Sequence, residues 1–177
     1  FEDGIKSGAI EYIGDDVIES YLDEVEKRRV STDLDLSELK VIYTPLNGTG
    51  NKPVRSILKR IGVKNVTVVP EQEMPDGNFT TAPYPNPEIR QAFECALKLA
   101  DNVNPDLILA TDPDADRVGI AIKVDDNYRL FSGNEVGVLL LNYILSRRKA
   151  NGTLPEKPFA VKTIVTTELV CRIAEKY

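Results

Sequence analysis

From residue 39 onward, short β-rich apolar runs alternate with helical stretches, and this alternation constrains the fold more than any other feature of the sequence. Leu39–Thr44, Asn65–Val69 and Asp106–Thr111 read as strands. Between them, Lys52–Ile61 and Asn86–Asp101 carry helical spacing. Pro53 and Pro87 suit their first turns, where a missing N–H costs nothing. Gly62 is a natural stop for the first helix. Val118–Val124 and Tyr128–Phe131 follow as two further strands around the turn Asp125–Asn127. The pattern predicts an α/β fold: a three-layer α/β/α domain with a mixed, mainly parallel sheet.

This domain is expected over residues 33–132, with a polar joint at 33–38. Residues 1–32 read as an approach helix or linker, because Val17, Ile18, Tyr21, Leu22 and Val25 form an apolar stripe at helical spacing. Residues 133–177 read as the incomplete start of a second α/β unit. Asn134–Arg148 is apolar nearly all round, the pattern of a helix buried on most sides. A loop then leads to a strand at Phe159–Val165 and a helix opening at Thr167. The chain begins at Phe1 and stops at Tyr177 within a helical pattern, so a cut-out of a longer protein is expected.

Composition narrows the chemistry. The 177 residues are 42% hydrophobic and 28% charged, enough apolar material for a core. A net charge of −6 argues against nucleic acid as a partner. Histidine is absent, which removes the commonest general base and transition-metal ligand and leaves carboxylates, Lys, Arg, hydroxyls and backbone. Cys95 and Cys171 are expected as buried thiols rather than a disulfide. No apolar run approaches the length of a membrane span, and a cytoplasmic protein with no membrane partner is expected.

If the first three strands are parallel, right-handed crossovers bring their following loops to one sheet edge, where open α/β sheets bind ligands. Those loops are Pro45–Asn51, Pro70–Pro85 and Asp112–Arg117. Asp112, Asp114 and Asp116 alternate, so extended backbone would point all three to one side. Three oxygen ligands suit a hard cation such as Mg²⁺, which keeps its other positions for phosphate or water. Arg117 adds a planar fork of donors for phosphate. An EF-hand loop is excluded, since Arg117 stands where its Gly is needed and Lys123 where its Glu is needed. Pro45–Gly50 offers a Gly-rich turn before a helix, which favours anions, without the spacing of a Walker loop. No serine has a neighbouring base.

The Asp112-Pro-Asp-Ala-Asp-Arg117 stretch resembles the metal loop of the α-D-phosphohexomutase superfamily, which includes phosphoglucomutases and phosphomannomutases. Tyr43–Gly50, Pro75–Phe79, Tyr84–Glu88 and Gly133–Glu135 agree in the same order, and the loop looks most like the phosphoglucomutase and phosphopentomutase-like branch. The resemblance implies the second domain and first part of the third of a four-domain enzyme. It implies that Asp112, Asp114 and Asp116 bind Mg²⁺, that Arg117 lies beside the phosphate of a phosphoserine, and that the phosphoserine loop lies outside this chain. Lys162 matches a lysine near the reactive phosphate in some members, with a structural lysine as the alternative. Asn47 and Gly48 are matched to a phosphate-proximal turn, although many relatives carry His where this chain has Asn47, and an amide cannot titrate. The implied partners are a sugar phosphate and the remaining domains of the same polypeptide, with self-association of the fragment a further expectation. Two competing classes are a haloacid-dehalogenase-type phosphatase and a non-enzymatic metal-binding module.

Overall fold

A computed structural model describes residues 1–177. Two short helices, α1 (Glu2–Ser7) and α2 (Asp15–Glu26), precede the sheet domain. Gly8, at φ 75°, ends the first and breaks the single helical stretch expected there. The domain then runs β1 (Lys40–Thr44), α3 (Asn51–Arg60), β2 (Asn65–Val68) and the single turn α4 (Pro70–Glu73). A 3₁₀ turn at Arg90–Phe93 leads into α5 (Glu94–Val103), followed by β3 (Leu107–Thr111), β4 (Val118–Val124) and β5 (Asn127–Phe131). Last come α6 (Gly133–Ala150) and α7 (Leu169–Lys176).

The five strands form one mixed sheet in the order β2-β1-β3-β4-β5. β1 is parallel to β2 and β3, while β4 and β5 are added antiparallel as a meander. The chain crosses from β1 to β2 in one direction and returns from β2 to β3 in the other. Right-handed crossovers therefore place α3 and α5 on opposite faces. On the α5 face, Ile42, Ile108, Ala110 and Ala121 meet Phe93, Ala96 and Ala100 in the main core. Fully burying a side chain as large as Phe93 stabilises by about 1.5–3 kcal/mol. Tyr43 points to the other face, where its hydroxyl bonds the Thr111 hydroxyl at 2.9 Å. There α2 lies along α3, with Arg60 paired to Glu19 and Asp23.

Several elements depart from the sequence reading. The helix expected from Asn86 begins only at Arg90, because the Asn86 side chain accepts the Glu88 N–H at 2.9 Å and holds a turn instead. Phe159–Val165 forms no strand, since no neighbouring strand is present to pair with it, and Phe159 and Ile164 are almost fully exposed. α6, expected to be buried on most sides, buries only Val136, and Leu139 and Leu140 stay half exposed. Both cysteines are free and half-buried. No helix is long and apolar enough to cross a membrane.

Candidate metal centre

The carboxylate loop bridges β3 and β4. Thr111 pairs with Val118, so residues 112–117 form a closed hairpin loop. Inside it, the Ala115 N–H bonds the Asp112 carbonyl at 3.0 Å, and Ala115 adopts φ 60°. The three aspartates meet because the loop turns back on itself. The extended alternation expected from the sequence is absent, since a tight turn at Ala115 is what closes a short antiparallel connection. One carboxylate oxygen from each of Asp112, Asp114 and Asp116 lies within 4.8 Å of the others. Three hard oxygen donors at that spacing fit a divalent cation and leave its remaining positions open.

Asp112 is fully buried at the end of β3, whereas Asp114 and Asp116 are exposed. The Asp112 carboxylate accepts the Arg117 main-chain N–H at 2.9 Å and its Nε at 2.7 Å. Burial pushes the Asp112 carboxyl up, yet those two donors and the Arg117 charge outweigh it and hold it below the ordinary carboxylate range. The charge of Asp114, then burial and Asp112, push Asp116 the other way, above its ordinary value. Arg117 is held above its ordinary value by its bond to Asp112. Its two terminal nitrogens make no protein hydrogen bond, and the residue lines an open groove of about 520 Å³. Asp112, Pro113 and Asp114 form one side of this groove, and Tyr84, Pro85, Asn86 and Ile89 form the other. That second side was not singled out residue by residue from the sequence. Its signs in the sequence are the Tyr84–Glu88 stretch of the resemblance and the long loop entering the same sheet edge.

The Pro45–Gly50 loop abuts the carboxylate loop from behind. Thr49 donates its main-chain N–H to the Pro113 carbonyl at 2.8 Å and its hydroxyl to the same oxygen at 3.1 Å. A Cβ on Gly48 would run into the Pro113 main chain, so Gly48 serves close backbone approach and does not line the groove. Asn47 is buried, and both donors of its amide are taken, by the carbonyls of Met74 at 2.7 Å and Glu71 at 3.3 Å. It has no donor left for a phosphate and pins the loop after β2 in place. Leu46 and Asn47 both sit at positive φ (47° and 60°), a strained pair held by these contacts. Lys162 is not brought to the carboxylates. Its ammonium bonds the Thr166 carbonyl at 3.2 Å and the Glu168 carboxylate at 2.7 Å, closing the turn before α7.

A sheet of this topology, with a carboxylate hairpin at the end of its third strand, has counterparts among known proteins. Residues 19–125 match the family model for phosphoglucomutase/phosphomannomutase, alpha/beta/alpha domain II. The chain belongs to that family, which sets aside the haloacid-dehalogenase-type alternative. A phosphoglucomutase of Staphylococcus saprophyticus is 40% identical over 171 residues, covering 96% of this chain and 30% of the relative. A phosphomannomutase of Mycoplasmoides pirum is 34% identical over 169 residues, covering 95% and 30%. The chain thus spans about a third of the length of these relatives. The same fold is seen in a phosphoglucomutase/phosphomannomutase family protein from Burkholderia thailandensis, at TM-score 0.60 and 20% identity over 75% of this chain and 26% of that one.

Proposed function

We propose that this chain supplies the cation-holding wall of the active site of a phosphosugar mutase that interconverts glucose 1-phosphate and glucose 6-phosphate or a closely similar pair. The observation that carries this reading is the convergence of Asp112, Asp114 and Asp116 beside the free donors of Arg117, in a groove at the sheet edge. Asp112, Asp114 and Asp116 would hold Mg²⁺, whose charge offsets that of the transferring phosphoryl group. Burial opposes ionisation of Asp112, but the bonds and charge of Arg117 outweigh it and favour the ionised form that a ligand needs. Arg117, fixed through its Nε, offers its terminal nitrogens to phosphate oxygens in a preset orientation. The nucleophile is a phosphoserine on another domain of the polypeptide. It donates its phosphoryl group to the sugar and regains one from the bisphosphorylated intermediate. Residues 133–177 open the next domain, whose remainder reads the sugar.

Titration of the chain with MgCl₂, followed by amide shifts, tests this. Shifts are expected at Asp112–Arg117, with affinity weaker than micromolar because the phosphate ligand is missing. Asp114→Asn should weaken binding by at least about tenfold, since even outer-shell partners of metal sites are worth roughly 10–100-fold. The chain alone should not convert glucose 1-phosphate. An absence of shifts in the loop, or turnover by a contaminant-free sample, would refute the proposal.

A further inference from the structure

Two sequence stretches, Tyr84–Glu88 and Gly133–Glu135, have no part in holding a cation, and the structure joins them. The Glu88 carboxylate accepts the Gly133 N–H at 3.2 Å. Gly133 is the first residue of α6, so its N–H is one of the four donors that a helix leaves without an internal partner. A carboxylate at that end also meets the positive pole of the helix dipole. Of the other contacts at this end, one is long-range: the Asn134 side chain accepts the Thr167 N–H at 2.9 Å. Ser132 and Glu135 form a reciprocal capping box, and Glu135 pairs with Arg129. Glu88 thus reaches a free amide at the start of α6 from 45 residues earlier in the sheet domain.

The same short segment forms one side of the groove through Tyr84, Pro85, Asn86 and Ile89. It is stiff along its length. The Asn86 N–H bonds the Tyr84 carbonyl at 2.8 Å, and the Asn86 side chain accepts the Glu88 N–H. Pro85 and Pro87 each fix one φ. The Pro87 carbonyl lies against Gly119 of β4 so closely that no Cβ would fit there. One end of the segment therefore faces Asp114 and Arg117, its middle is seated on β4, and its other end is tied to α6.

We infer that Glu88 is a positioning residue. Its bond to Gly133 fixes the Tyr84–Ile89 wall opposite the carboxylate loop, and couples that wall to the direction in which α6 leaves the sheet. The coupling itself stands on these contacts alone, and only the nature of what docks in the groove rests on the proposed mutase reading. In a four-domain enzyme, such a link would let movement of the following unit reach the groove wall.

Backbone ¹⁵N relaxation on the 177-residue chain tests this with three variants. Glu88→Ala removes the acceptor. Gly133→Pro removes the donor, and its Cβ falls where the Glu88 carboxylate sits, so Glu88 loses both the bond and its place; proline itself suits this position, after Ser132, whose extended backbone (φ −68°, ψ 156°) is what a following proline requires. Glu88→Gln keeps an acceptor oxygen. Order parameters at Tyr84, Asn86, Glu88 and Ile89 should fall measurably below the roughly 0.85 of rigid backbone in Glu88→Ala and in Gly133→Pro, most of all at Glu88, because the local turn and the prolines remain. The double variant should fall no further, and Glu88→Gln should stay close to the original. Unchanged order in Glu88→Ala, additive losses in the double variant, or failure of Glu88→Gln to restore order would overturn the inference. A parallel MgCl₂ titration separates the two readings: loss of loop shifts in the unmutated chain defeats the cation site without touching the relaxation result.

Discussion

At the scale of single residues, the site is an electrostatic compromise. Asp112 and Asp116 belong to one loop, yet their surroundings move them in opposite directions. Asp112, lowered on folding, contributes stability that is present above its unfolded value and lost as pH falls through its folded one. Asp116, raised on folding, is a net cost at neutral pH that is relieved as pH falls through its folded value. Carboxyl ¹³C titration of metal-free protein should therefore show Asp116 protonating before Asp112 as pH falls. The reverse order would mean that the Arg117 bonds do not hold in solution. The acidic triplet was legible in the sequence because three carboxylates between two apolar strands have few other uses. The role of Asn47 was not legible. Whether an amide faces a ligand or two loop carbonyls depends on where the loop after β2 comes to rest, 24 and 27 residues further along the chain.

At the scale of elements, period and punctuation carried most of the information. β1, β3 and β4 are apolar runs of five to seven residues, and their parallel or antiparallel partners follow from the lengths of the connections between them. Helix starts were harder to place, as at Asn86, where a side chain competes with the helix for backbone donors. The start of α6 is specified most fully. Ser132 accepts the Glu135 N–H at 3.3 Å, and the Glu135 carboxylate returns to the Ser132 N–H at 2.9 Å. Ser132→Ala removes one of these bonds and should cost about 1 kcal/mol, read as a lower urea midpoint with an unchanged slope. An unchanged midpoint would show that the remaining contacts suffice to start the helix. The segment 159–165 shows where pattern fails: it has the composition of a strand, but a strand exists only when another strand lies beside it.

At the scale of the whole molecule, large apolar side chains stand exposed at both ends of the chain, at Phe1, Tyr12, Ile13 and Tyr21 as well as over residues 139–169. Phe159, Val161, Ile164 and Val165 are 90%, 87%, 97% and 81% exposed, and Leu139 and Leu140 of α6 are half exposed. Apolar exposure concentrated in this way favours association. The chain should self-associate as concentration rises, with a mass above 19.7 kDa by light scattering. Replacing Ile164 and Val165 together by Ser should shift it towards monomer. A single monomeric species at high concentration in the unmutated chain would contradict this.

The hairpin that carries the acidic residues has one more consequence, concerning how the molecule loosens. Its contacts join residues five apart, as in the Arg117–Asp112 pair, whereas the backing loop is held to it by Thr49 and Pro113 across 64 positions. The β1–β3 ladder already holds the bases of both loops together at Thr44 and Ala110, so the Thr49 bonds close only the few residues beyond it. When the fold begins to breathe, the backing loop should therefore stay with the acidic hairpin for as long as the β1–β3 ladder holds.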